Sequence, residues 1–167
     1  QGVSVHGSTP EQGENAIGRL ALALTQLPLE GELADCMAFL AGRIGMETHG
    51  ESLGLAMRDD LSGDLTVNLG VAAFAEETLA LTLSVRYPVT KTYDGAHPRM
   101  ERAFALGGFH ETKMKHKAAI YMPPESELIR KLSQVYEEQT GEKAVLKSIG
   151  GGTYAKSIPN LVAFGPI

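Results

Sequence analysis

The sequence predicts an α+β protein, in which a two-layer split βαββαβ arrangement is followed by a smaller α/β segment. Three observations predict it. Apolar residues alternate with period two over 65–71 and 79–85, and they recur at helical spacing over 10–27, 31–44 and 96–106. With a short strand at Val3–Val5 and an extended stretch at 110–120, these patterns run β, α, α, β, β, α, β, the order of a sheet with helices on one face. Pro123-Pro124 then marks a boundary, beyond which helix, strand, turn and strand follow one another.

Each element has its own warrant. Val3 and Val5 alternate with Ser4 and His6 until Gly7-Ser8-Thr9-Pro10 stops the strand. Thr9 is the expected cap and Pro10 the first position of a helix carrying Ile17, Leu20, Leu24 and Leu27 on one side, ended by Pro28. Leu33, Met37, Leu40 and Ile44 form the stripe of the next helix. Residues 45–63, rich in glycine, read as a long loop with one helical turn near Leu53–Met57. Leu65, Val67, Leu69 and Val71 alternate, as do Leu79, Leu81, Leu83 and Val85, with a hairpin turn at Ala75-Glu76-Glu77 that lacks the Asn-Gly signal. Met100, Ala103, Phe104 and Leu106 give the next helix its apolar side, and Gly107-Gly108 end it. After the prolines, Leu128, Leu132, Val135 and Tyr136 mark a helix over 125–140 that stops at Gly141, with strands expected near 144–148 and at Leu161–Phe164.

Composition excludes more than it assigns. The 167 residues carry a formal charge of −5, which argues against a generally basic nucleic-acid binder. A single cysteine, Cys36, excludes an intrachain disulfide and a cysteine-built zinc site, and its apolar helical surroundings favour a core thiol over a nucleophile. No apolar run is long enough for a membrane-spanning helix. The chain opens on Gln1, in what reads as the end of a strand, so it is expected to be a piece of a longer polypeptide.

Candidate chemistry comes first from alternation. Leu79, Leu81, Leu83 and Val85 share one strand face, which puts Arg86 with Thr82 and Ser84 on the polar face. By the same count Val3 and Val5 face inward and His6 outward. If both strands belong to one sheet, His6 and Arg86 project from its open side, where an imidazole donor and a forked guanidinium suit an anionic ligand. Open sheet faces are ordinarily polar, so from the pattern alone plain solvent exposure is the simpler account. The run Gly150-Gly151-Gly152 allows backbone N–H groups to converge on an anion, with Thr153 capping a short helix beyond it; a flexible connection accounts for the run equally well. The same stretch departs from a P-loop, because Ala155 stands where that loop needs glycine before Lys156-Ser157, and Pro159 disfavours the helix that should follow. His6, His49, His97, His110 and His116 show no paired metal-ligand spacing, G-x-S-x-G is absent, and Glu47-Thr48-His49 and Asp59-Asp60 read as ordinary loop charges rather than cation ligands.

Several stretches carry a resemblance. Val5-His6-Gly7-Ser8-Thr9-Pro10-Glu11-Gln12-Gly13-Glu14-Asn15-Ala16 resembles a motif of the zinc metallopeptidases that include aminoacylases and carnosinase-type dipeptidases. Ser84-Val85-Arg86-Tyr87-Pro88-Val89, Gly150-Gly151-Gly152-Thr153-Tyr154-Ala155-Lys156-Ser157-Ile158-Pro159-Asn160 and the ending Ala163-Phe164-Gly165-Pro166 are similar to PepV-type dipeptidases, as is the Gly50–Gly70 region. The resemblance implies a hydrolase, a metalloprotease with two zinc ions in a catalytic domain and a lid domain closing over the substrate. It makes 1–114 the later part of a ferredoxin-like lid and 115–167 a returning piece of the catalytic domain. It also places the zinc ligands and the general base outside this sequence, so that the chain alone should hold no zinc and be inactive. In the intact enzyme it gives His6 a catalytic role, donating to the oxyanion of the tetrahedral intermediate, and gives Arg86, Gly151, Gly152 and Thr153 the C-terminal carboxylate of a dipeptide substrate. The partners implied are that dipeptide and the remainder of the parent catalytic domain, with self-association through exposed sheet edges, no nucleic acid, no membrane, and a cytoplasmic location. The competing reading is an autonomous ferredoxin-like module that binds a small ligand or another chain.

Overall fold

A computed structural model describes residues 1–165 of the chain; Pro166, the last residue of the Ala163–Pro166 match, and Ile167 lie outside the described residues. The class is α+β. Two compact units divide the chain, Gln1–His116 and Lys117–Ile167.

The first unit is built on a hairpin. β1 (Arg58–Asp59) pairs antiparallel with β2 (Gly63–Asp64), and β3 (Thr66–Ala75) pairs antiparallel with β4 (Thr78–Arg86). The β3–β4 turn is made by Glu76 and Glu77, both at left-handed φ of 50° and 61°. That is the conformation a two-residue hairpin loop needs, reached here without glycine or asparagine. Val67 stands opposite Val85, and Leu69 opposite Leu83. Against this inner face pack α1 (Ala16–Leu24) and α2 (Gly31–Arg43), whose Ala21, Met37 and Leu40 join Ile44, Leu53, Leu55, Leu65, Val67 and Leu69 in one buried cluster. α3 (Tyr93–Ala105) adds Met100, Ala103 and Phe104, and the rings of Phe39, Phe104 and Phe109 meet edge-on or tilted at centroid separations of 5.6–6.2 Å.

Several elements differ from expectation, each for a local reason. Val3 and Val5 form no strand beyond a single antiparallel bridge, Val3 to Glu14, and Val3 is 54% exposed rather than facing inward. Pro10 opens a 3₁₀ turn (Pro10–Gln12), but extended Gly13 ends it, and the helix starts afresh after Asn15. The cap is therefore Asn15, whose Oδ1 accepts from the N–H groups of Ile17 and Gly18, and not Thr9. The buried stripe of α1 runs through Gly18 and Ala21, leaving Leu20 57% exposed. A Cβ on Gly18 would lie 1.9 Å from the Gly45 carbonyl oxygen, so this helix face meets the end of α2 backbone to backbone. Val71 leaves the alternation because a bulge at Gly70 shifts the register: beyond it Val71 pairs with Thr82 and Ala72 with Leu81. α3 begins three residues before the expected 96, where Thr92 accepts from the Gly95 N–H at 3.2 Å. No strand forms over 110–120, so the sheet order expected for a full split βαββαβ unit narrows to the two hairpins among the described residues.

The second unit contains α4 (Glu127–Thr140), capped by Ser126 and stopped by left-handed Gly141, and a 3₁₀ turn at Tyr154–Ser157. The strands expected at 144–148 and 161–164 do not form. Strands need a ladder partner for their N–H and C=O groups, and within this unit no described segment supplies one.

Candidate functional site

The loop carrying His6 is tied at its neck by the Val3–Glu14 bridge, with N···O distances of 3.0 and 3.1 Å in the two directions. Close approach there requires glycine: a Cβ on Gly13 would meet the Val3 carbonyl oxygen at 2.6 Å. Inside the loop, Thr9 N–H donates to the His6 carbonyl at 3.0 Å, closing a turn that turns the imidazole outward. His6 is exposed. The Ser8 backbone N–H donates to His6 Nδ1 at 3.3 Å, and Ser8 Oγ lies 2.6 Å from the same atom. An Nδ1 that accepts places the proton of the neutral ring on Nε2, leaving Nε2–H as an outward donor.

Arg86 ends β4 opposite Thr66 and is half-buried. It lies on the outer face with Thr82 and Ser84, as the alternation requires, with Asn68 opposite Ser84. Its Nη1 donates to the Gly7 carbonyl, so the guanidinium is joined to the residue next to His6. His6 and Arg86 are thus linked through Gly7 and not as neighbours on one sheet: a bridged loop, not a strand, carries His6 to the hairpin. That loop is fixed further by Asn15, whose Nδ2 donates to the Leu69 carbonyl at 2.9 Å and lies 3.5 Å from Asn68 Oδ1. Thr66 Oγ1 is buried without a hydrogen-bond partner among the described residues.

Gly151, Gly152 and Thr153 belong to the second unit. None of Gly150, Gly151 and Gly152 takes a left-handed φ. Thr153 precedes the 3₁₀ turn without a side-chain cap, and its carbonyl accepts from Lys156 N–H at 3.1 Å. The same unit holds an open hollow of about 440 Å³ between 119–122 and 155–161.

Several other titratable groups make local structural contacts. Glu47 accepts from the Ser52 N–H at 2.8 Å and from its hydroxyl, and His49 Nδ1 lies 2.9 Å from the Leu65 carbonyl. Burial, with Glu32 and Asp35 nearby, pushes the Cys36 thiol up, which keeps it protonated beside the core. His97 lies between Glu111 and Glu101, at 2.9 and 3.7 Å. Among the described residues no three His, Cys, Asp or Glu side chains converge as a metal site. Sequence reading missed Ser8, Asn15 and Asn68. A signal existed for Asn68, a polar amide set inside Val67-Asn68-Leu69 where strand propensity opposes it.

No family model matches the chain. Along its length it is similar to bacterial proteins named as dipeptidases. Over 99% of this chain, identity is 36% with "Putative dipeptidase YtjP" of Bacillus subtilis (strain 168), 32% with "Putative dipeptidase SSP1012" of Staphylococcus saprophyticus and 31% with "Putative dipeptidase SAUSA300_1697" of Staphylococcus aureus (strain USA300). The chain spans 35% of the length of each of these relatives.

Proposed function

We propose that this chain is the substrate-binding lid part (1–114) and an adjoining catalytic-domain segment (115–167) of a cytoplasmic PepV-type zinc dipeptidase, acting on dipeptides with a free C-terminal carboxylate. The observation that carries this reading is the hydrogen bond from Arg86 to Gly7, which joins a forked cation to the loop of an exposed imidazole. The similarity along the chain to proteins named as dipeptidases supports it. In this reading Arg86 binds the carboxylate of the dipeptide through two parallel N–H···O bonds. His6 Nε2–H donates to the oxygen on which charge develops as the peptide carbonyl is attacked, where a positioned donor contributes about 3–4 kcal/mol. Gly151 and Gly152, through backbone N–H groups, and Thr153, through its hydroxyl, are the further substrate-binding groups of this reading. A longer peptide would set an uncharged amide against Arg86 and forfeit the charge-assisted bonds that a carboxylate accepts, which favours dipeptides.

The zinc pair that the resemblance implies finds no fit among this chain's described side chains. Every role above therefore belongs to this chain's own atoms, and the isolated chain is proposed to be inactive.

The test is hydrolysis by the full-length protein of a dipeptide and of its C-terminal amide. Arg86→Ala is expected to raise KM for the free acid by at least about tenfold with little effect on the amide, and His6→Ala to lower kcat about 10²–10³-fold. An Arg86→Ala enzyme with an unchanged KM for the free acid would refute the reading.

A further inference from the structure

Arg86 is the last residue of β4, and the segment beyond it is held by a carboxylate to which the proposed binding scheme gives no part. Asp59 Oδ1 accepts from the backbone N–H of Leu61 at 3.1 Å, from the N–H of Ser62, and from the Ser62 hydroxyl at 2.9 Å. Its Oδ2 accepts from the Thr90 N–H at 3.0 Å. Ser62 Oγ, while donating to Asp59, accepts from the Val89 N–H at 2.9 Å. Two consecutive backbone donors just past Arg86 are therefore held by one Asp–Ser unit from the β1–β2 hairpin. Between them and Arg86 lies Pro88, less than 2% exposed and with φ fixed by its ring, and its carbonyl accepts from Lys91 N–H at 2.9 Å. These bonds tie the chain just past β4 to the β1–β2 hairpin.

We infer that Asp59 is a positioning residue for Arg86, setting through Ser62, Val89 and Thr90 the point and direction at which the guanidinium leaves the strand. The inference rests on the carboxylate-binding role proposed for Arg86. Partial desolvation raises the Asp59 pKa, but hydrogen bonds from Ser62 and Thr90 outweigh it and hold the carboxyl well below the usual range, so the clamp is ionised at neutral pH. A cluster that only closed a surface turn would contribute to stability and leave recognition of the free carboxylate untouched.

The experiment compares kcat/KM of the full-length protein for a dipeptide and for its C-terminal amide. Asp59→Ala is expected to reduce the preference for the free acid about tenfold, through KM, while kcat/KM for the amide stays within about twofold. Ser62→Ala, which keeps the carboxylate but loses the Val89 bond, should reduce the preference by a smaller factor, and it decides the matter if Asp59→Ala does not fold. An unchanged preference in the folded variants, or an equal loss on both substrates with a lower melting temperature, overturns the positioning role. If Arg86→Ala itself leaves the preference unchanged, the carboxylate role fails first, and the inference falls with it.

Discussion

Individual residues divide by whether their setting is local. Arg86 was legible, because period-two alternation fixes its face from Leu79, Leu81, Leu83 and Val85 alone, and the structure puts it there. Strand alternation makes His6 outward-facing in the sequence, whereas in the structure a loop turn, not a strand, exposes it. Ser8 has no signal in the sequence, and Asp59 reads there only as a loop charge, because what distinguishes both is their partners, one of which, Thr90, lies 31 residues from Asp59. The charge of Asp59 has a consequence for acid stability. A carboxylate whose folded pKa is depressed stabilises above its ordinary value of 3.8, and that contribution is lost as pH falls through the lower folded value. Wild type should therefore melt above Asp59→Asn at neutral pH, and thermal scans should show the gap narrowing once pH drops below 3.8. A gap that stayed constant into acid would assign the effect to shape instead of charge.

Elements were legible where one face is buried and blurred where the chain changes phase. The β3–β4 pairing, α2 and α4 follow their apolar patterns closely, with Gly141 ending α4 as expected. The Gly70 bulge defeats simple alternation, since one extra residue moves every later side chain to the opposite face. The start of α1 was misplaced because Thr9-Pro10 carries a helix-start signal and Gly13 cancels it, leaving the cap to Asn15. That amide does two things: it caps α1 and it occupies the Leu69 carbonyl on the edge of β3. Asn15→Ala should cost at least about 1 kcal/mol in urea denaturation, the ordinary loss of a cap, with the orphaned Leu69 carbonyl adding to it. A loss of only a few tenths would mean that water replaces both bonds.

The whole chain is uneven in how much it buries. Among the described residues, Ala155 is the one buried hydrophobic residue beyond His116, and α4 buries none of its residues, although Leu128 and Val135 give it an apolar side. Amide hydrogen exchange on this chain should find α2 and the proximal part of β3 slow and α4 fast. Equal protection in the two units would contradict that picture. The expected strands of the second unit were illegible for the same reason that this helix is uncovered: a pattern such as Val145-Leu146 declares a preference for burial but cannot name what provides it. Within the first unit the bulge at Gly70 has a practical corollary. It uncouples the outer reach of the hairpin, where Phe74 is 64% exposed, from the pairing of Thr66 with Arg86 that answers to the core. The Glu76-Glu77 tip is thus the natural splice point for a fluorescent or affinity module, a place where cargo can be grafted while the guanidinium at the other end keeps its aim.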